Sequence, residues 1–185
     1  NKKIRISTMP LTDPWATSVV SPLFKIVGAL TLTNPTSVDK WGVGTTKNIK
    51  WTRTGSIANI RLDYTVDGTN YTTITASYDG GLGSAGYDWY LNPATTAVSV
   101  TARVRIADAS DASVNDVSPD SPDYFKIVPS FTVTKPINDG GGNPERVKAN
   151  PPTPYQIQWS TLGSATTVNL YYWKDLTCTL GGAGT

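Results

Sequence analysis

The chain has 185 residues with 16 Lys and Arg against 14 Asp and Glu, a net charge of +2, and no histidine. Without histidine, Ser-His-Asp and Cys-His nucleophilic systems are excluded, and nearly all zinc sites with them. The absence of any basic run removes the footprint of a nucleic-acid binder, and Cys178 as the only cysteine rules out an internal disulfide or a thiolate metal cluster.

Glu145 is the only Glu, so good helix formers are scarce, whereas Thr, Val, Ile, Tyr and Trp are plentiful beside 16 Gly and 13 Pro. That mixture predicts an all-β chain of short strands joined by turns. No apolar run approaches the length of a bilayer span, so no membrane span is expected in this segment. Asn1-Lys2-Lys3 opens inside a strand-like pattern rather than a signal peptide, which reads as a segment excised or matured from a longer protein.

Taken in order, Lys3-Ile-Arg-Ile6 is strand-like, Ser7 to Leu23 is a loop, and Phe24-Lys-Ile-Val27 is strand-like again. Leu30 and Leu32 open the next element, and Ile49 and Trp51 share one face of another. Ile60, Leu62, Tyr64 and Val66 alternate with Arg61, Asp63 and Thr65; Asp67-Gly68 supplies a tight turn, and Tyr71 to Thr75 returns as the partner strand. Tyr87, Trp89 and Leu91 form a strand closed by Pro93. Val100, Ala102, Val104 and Ile106 alternate against Thr101, Arg103 and Arg105, and Phe125 and Ile127 follow. Trp51, Leu62, Tyr64, Trp89, Val104, Ile106 and Phe125 are the expected core.

Self-similarity organises these elements. Phe24-Lys-Ile-Val27 recurs 101 positions later as Phe125-Lys-Ile-Val128, and Leu30-Thr-Leu-Thr-Asn-Pro35 as Phe131-Thr-Val-Thr-Lys-Pro136. Ile49-Lys-Trp51, Gly55-Ser56 and Leu62-Asp-Tyr64 recur 108 positions later as Ile157-Gln-Trp159, Gly163-Ser164 and Leu170-Tyr-Tyr172. The extra 7 positions fall in the Gly-, Pro- and Asn-rich stretch 138–154. The expected organisation is the C-terminal strands of one unit (1–27), a complete unit (28–128) and the N-terminal strands of another (129–185). About seven strands in some 100 residues fit a Greek-key β-sandwich of immunoglobulin-like type. The two ends then read as complementary halves of the same fold, completed along a longer chain or by a neighbouring molecule.

The order Trp-Gly-Val-Gly (41–44), Ile-Lys-Trp-Thr (49–52), Ile-Arg-Leu-Asp-Tyr (60–64), Tyr-Asp-Trp (87–89), Arg-Val-Arg-Ile-Ala-Asp (103–108) and Phe-Lys-Ile (125–127) resembles a recurrent module. It is similar to immunoglobulin-like modules repeated in large bacterial cell-surface and secreted proteins, and to the N-terminal module of yeast cell-wall glucan-assembly proteins. The second copy lacks the Trp-Gly-Val-Gly segment. The motifs are core and turn residues, so they speak to fold rather than activity.

Cys178 between Thr177 and Thr179 is an ordinary strand residue without a His partner. Asp108, Asp111, Asp116, Asp120 and Asp123 form the densest acidic stretch, an oxygen-rich set of the kind that binds Ca²⁺. The matching loop Ser7 to Leu23 carries only Asp13, so a solvated loop is favoured. Trp51, Trp89 and Trp159 suit a core better than a sugar-stacking platform, while Trp41, Tyr78 and Trp173 are less clearly inward. Gly80-Gly81, Gly140-Gly141-Gly142 and Gly181-Gly182 lack the Gly-Lys-Ser/Thr ending of a phosphate loop.

No catalytic, cofactor-binding or metal-ligating residue is assigned, and no cofactor. The expectation is a non-catalytic structural or adhesive segment of an extracellular, cell-surface tandem-repeat protein, capable of forming a fibre or filament. Its partners would be neighbouring immunoglobulin-like units of the same or identical chains, with cell-surface glycans or proteins as further candidates. The alternative is a glycan-binding accessory module of a secreted polysaccharide-degrading enzyme.

Overall fold

The computed structural model describes residues 1–7, 18–79, 86–120, 122–137, 145 and 154–172. These form strands and turns without a helix, and so no helix long and apolar enough to cross a membrane. The strands are β1 (Arg5–Ser7), β2 (Ser18–Val20), β3 (Ala29–Asn34), β4 (Lys40–Gly42), β5 (Thr46–Thr54), β6 (Ile60–Thr65) and β7 (Thr72–Tyr78). They continue as β8 (Tyr87–Tyr90), β9 (Ser99–Asp108), β10 (Asp111–Ser118), β11 (Phe125–Val128), β12 (Ser130–Lys135) and β13 (Gln158–Leu162).

One sheet runs β3-β5-β8 and a second runs β4-β11-β9-β6-β7. All pairings are antiparallel except β4 with β11. The ten-residue β9 is central. One edge pairs with β6 from Arg103 to Asp108, while the other takes β11 along its first half and β10 along its second.

Alternation explains which side of each sheet is buried: successive side chains point to opposite faces, so every second residue reaches the core. Leu30 and Leu32 of β3, Ile49 of β5 and Trp89 of β8 supply one layer. Ile60 and Leu62 of β6, Val104 and Ile106 of β9, and Phe125 and Ile127 of β11 supply the other. The layers meet through rings: Trp89 lies 6.2 Å from Trp41 at an edge-on angle of 68° and 4.7 Å from Tyr64. Trp41 in turn stacks at 4.9 Å on Phe125. The result is a two-layer, sandwich-like all-β core lying between Leu30 and Ile127.

Four expectations need correction. Trp51 is only half buried, packed against the core from its margin with its ring edge-on to the half-buried Tyr78 at 6.3 Å. Val100 is exposed although it alternates with Ala102, because it stands where the β9–β11 ladder shifts register and the core has ended. The stretch Asp108 to Asp123 is not simply a solvated loop: Asp111–Ser118 is β10, laddered to β9 with Val117 opposite Arg105. Asp67-Gly68 is part of a longer connection between Thr65 and Thr72, organised by the Asp67 carboxylate rather than by a two-residue turn.

The flanking segments form two small hairpins, β1-β2 and β12-β13, whose registers can be compared with the larger sheets. In β1-β2, Arg5 opposes Val20 and Ile6 opposes Val19, and Lys2 bridges Phe24. In β9-β10-β11, Arg105 opposes Val117, Ile106 opposes Asp116, and Ala102 opposes Phe125. In β12-β13, Val133 opposes Trp159 and the register shifts between Val133 and Lys135. In β3-β5, Leu32 opposes Trp51 and the register shifts between Leu32 and Asn34. Gly55 and Gly163 leave β5 and β13 with φ of +78° and +80°, a backbone that side chains other than hydrogen rarely tolerate.

Candidate functional site

Three places concentrate polar or aromatic chemistry: the outer face of the β9-β6-β7 sheet, the acidic hairpin β9-β10, and the aromatic residues.

On the outer face, the alternation that sends Leu62 and Tyr64 inward sends Asp63 outward, yet Asp63 is fully buried. Side chains from its own strand and from both neighbouring strands roof it over. Arg61 Nε donates to both carboxylate oxygens at 2.9 and 3.1 Å, and Arg105 Nη2 donates to Oδ2 at 3.0 Å. The Thr73 hydroxyl donates to Oδ1 at 2.9 Å and itself accepts from Arg61 Nη2 at 2.8 Å. Two guanidiniums on one carboxylate satisfy the charge that burial would otherwise penalise. Both carboxylate oxygens are committed to these donors, which leaves no lone pair directed at a substrate. Arg105 also lies 4.0 Å over the Tyr71 ring, and Arg103 lies 4.5 Å over Tyr124. One π face of each outward tyrosine is thereby covered by a cation. The signal for this arrangement was present as Arg61-x-Asp63 and Arg103-x-Arg105 on the outward register, but only the β6–β9 pairing joins them.

In the acidic hairpin the carboxylates turn to their own backbone. Asp108 accepts from the Ser110 hydroxyl and amide at 2.7 and 2.8 Å, and the Ser110 hydroxyl is the main cause of its lowered pKa. Asp111 accepts from the Ser113 hydroxyl and amide and pairs with the Lys25 ammonium at 2.5 Å. Lys25, followed by Ser113, holds the Asp111 carboxyl at about 2. Asp116 accepts the Leu32 amide at 2.6 Å, satisfying a donor on the open edge of β3. Among the described residues no group of three or more His, Cys, Asp or Glu side chains stands close enough to hold a metal ion. Asp108, Asp111, Asp116, Asp120 and Asp123 are therefore spread along a hairpin rather than brought together.

The aromatic residues divide by layer. Trp41, one of the residues without a clear inward sign, is buried in the centre of the core. Tyr78 is half buried, edge-on to Tyr87 at 5.0 Å, and its hydroxyl donates to the Gly86 carbonyl at 3.3 Å. Trp159 is exposed, as are Tyr171 and Tyr172. Trp173 and Cys178, together with the glycine runs at 80–81, 140–142 and 181–182, lie outside the described residues.

No family model, curated protein or solved structure matches this chain.

Proposed function

We propose that the chain is a non-catalytic, structural or adhesive segment of an extracellular protein built from serial immunoglobulin-like units. The observation that carries this reading is that each flanking hairpin repeats the register of part of the central sheets. Ile6 opposes Val19 as Ile106 opposes Asp116, and Val133 opposes Trp159 as Leu32 opposes Trp51. Identical registers from matching sequences are what one unit written several times along a chain would give. The strand order supports the immunoglobulin-like assignment: β3, β5 and β8 fit its first, second and fifth strands, and β6, β9 and β10-β11 fit the opposing sheet. Cysteine-poor, Thr-rich strands favour an extracellular setting. A structural role is supported by the way carboxylates are committed: Asp63 to two arginines, Asp108 and Asp111 to turns, and Asp116 to a sheet edge.

The test has two arms. Purified protein is assayed against polysaccharides and peptides for turnover, and against insoluble glucans, chitin and cellulose for retention. The expected result is neither turnover nor retention. Turnover abolished by a single Asp→Asn substitution would sink the reading, and saturable retention would replace it with the glycan-binding module.

A further inference from the structure

No stretch of the sequence is a basic run, yet the larger sheet assembles a basic face. The alternation that fills the core turns outward Lys40 of β4, Lys126 of β11, Arg103 and Arg105 of β9, and Arg61 of β6. Asp63 is the one carboxylate that these five strands turn the same way. Five cations against one carboxylate give +4, and a chain total of +2 leaves −2 for everything else. The charge of the molecule is therefore segregated onto this face.

At its centre the arginines are fixed in place. Arg61 spends Nε on Asp63 and Nη2 on Asp63 and Thr73, while Arg105 spends Nε and Nη2 on Asp63. Among the described residues, the Nη1 amino group of each has no acceptor. Both guanidiniums contact the same carboxylate oxygen, and the two side chains keep 45% and 33% of their surface in water. One buried carboxylate thus holds two cations side by side, with donors to spare and a residual charge of one. Guanidiniums already immobilised lose little further freedom when they bind an anion.

The rest of the face has cations without any such anchor. Lys126 lies beside Lys40 in the parallel β11–β4 ladder, and both are exposed. Like charges side by side on adjacent strands are unfavourable, and neither lysine belongs to an ion pair among the described residues. Arg103 donates only to the Asp123 carbonyl and lies over the Tyr124 ring. Repulsion left uncompensated within a chain is expected where a surface meets a partner of opposite charge.

We propose that this face holds an acidic polysaccharide, with Arg61 and Arg105 gripping one carboxylate or sulfate group and Arg103, Lys126 and Lys40 following further groups along the polymer. The cations run diagonally over four strands, a path of roughly 20 Å at about 4.8 Å between strands and 3.3 Å per residue. That length suits charge repeated along a chain rather than one small anion. Tyr71 and Tyr124 are half buried with one ring side under an arginine, which removes the free platforms on which single-stranded nucleic acid stacks. The proposal rests on the extracellular, adhesive reading above and names its ligand; the neutral glucans, chitin and cellulose lack the anionic group this face requires.

The experiment titrates the full chain with polygalacturonate and with dextran sulfate, which separate carboxylate from sulfate, and with uncharged dextran. The expected result is binding to at least one acidic polymer at 0.05 M NaCl, none to dextran, and at least about tenfold weaker binding at 0.5 M, where screening is strong. The double variant Arg103→Ser, Lys126→Ser, which leaves the Asp63 network intact, should weaken binding at least about tenfold. Arg105→Lys keeps the charge but loses the planar fork and should weaken it at least about threefold. Lys50→Glu, an equal or larger local charge change on the outer face of the other sheet, should stay within about twofold. Urea unfolding followed by tryptophan fluorescence checks that each variant is folded. Absence of binding to both acidic polymers, a loss from Lys50→Glu as large as from the double variant, or tighter binding to double-stranded DNA or phosphatidylserine vesicles than to either acidic polymer would each overturn the proposal. Unchanged affinity in folded Arg105→Lys would overturn the role given to the arginine pair. A protein that binds none of these polymers and turns over no substrate leaves the proposed function standing, whereas turnover would remove that function while the variants still report where the polymer docks.

Discussion

Ile106 and Ile6 end the matching tetrapeptides Arg103-Val-Arg-Ile106 and Lys3-Ile-Arg-Ile6, and both sit in antiparallel strands of the same register. Local sequence therefore predicts that truncating either should cost the same, whereas the packing predicts a large difference. Ile106→Ala removes three carbons from a side chain with no solvent exposure. At about 0.8 kcal/mol for each buried carbon group, the transfer loss is about 2.4 kcal/mol. A residual void on the order of 60 Å³ adds about 1–1.5 kcal/mol, since the sheets relax only partly around it. The expected destabilisation is about 3–4 kcal/mol. Ile6→Ala exchanges a side chain already in water and should fall within about 0.5 kcal/mol of wild type. Urea denaturation followed by tryptophan fluorescence, at a dilution where the chain sediments as a monomer, reads both midpoints, with Trp41 and Trp89 reporting from inside the core. A loss below 1 kcal/mol for Ile106→Ala, or similar losses for both variants, would refute the placement of the core.

Asp63→Leu should destabilise the core by about 2–4 kcal/mol, since it leaves two arginines without their carboxylate; the guanidiniums keep 45% and 33% of their side-chain surface in water, which favours the lower end. The same denaturation assay checks it, and an unchanged midpoint would show that Asp63 is not the centre of the outer-face network. Asp111, held at about 2, contributes its contact with Lys25 fully above the unfolded carboxylate value of about 3.9 and loses it as pH falls towards 2. Lys25 is raised by the Asp111 hydrogen bond and charge, so on the basic side the contact persists through about 10.4, the unfolded lysine value, and is lost only above it. NMR titration of the Asp111 carboxyl should show the low midpoint, and Asp111→Asn should abolish the matching shift change at Lys25; an ordinary midpoint near 4 would contradict the pair. Gly44→Val should release the C-terminal hairpin, because φ is +80° and an added Cβ would come within 2.5 Å of Leu162 Cδ1. Faster amide exchange across β12 and β13 is the expected result, and unchanged protection there would show that Leu162 does not dock on this glycine.

Much of the fold was legible because alternation with period two leaves a mark in sequence wherever one face is dry. Leu62 and Tyr64, Val104 and Ile106, and Phe125 and Ile127 were all placed on the core side by that rule, and all are buried. β4 and β10 escaped it. β4 has only three residues, and its pairing is parallel to a strand some 85 positions away, so no local period marks it. β10 reads Asp-Ala-Ser-Val-Asn-Asp-Val-Ser, polar enough to pass for loop, because most of its side chains face water or neighbouring strands and only Val114 is buried. The acidic residues looked like a cluster because they are close in sequence; extension along a hairpin spreads them, and Asp108, Asp111 and Asp116 find local or cross-strand donors instead.

By itself the sequence determined what chemistry was open to the chain and where one motif is repeated. No histidine and a single cysteine are statements about side-chain inventory, and the Phe-Lys-Ile-Val and Ile-x-Trp matches are statements about order; neither depends on packing. Tertiary structure decided which copy of each motif is buried. Ile6 and Ile106, Leu170 and Leu62, share sequence surroundings, yet Ile106 and Leu62 lie on strands paired on both edges beneath a facing layer and are buried, while Ile6 and Leu170 are exposed. Burial is a property of two surfaces brought together across long sequence separation, and no local pattern records whether the second surface is there.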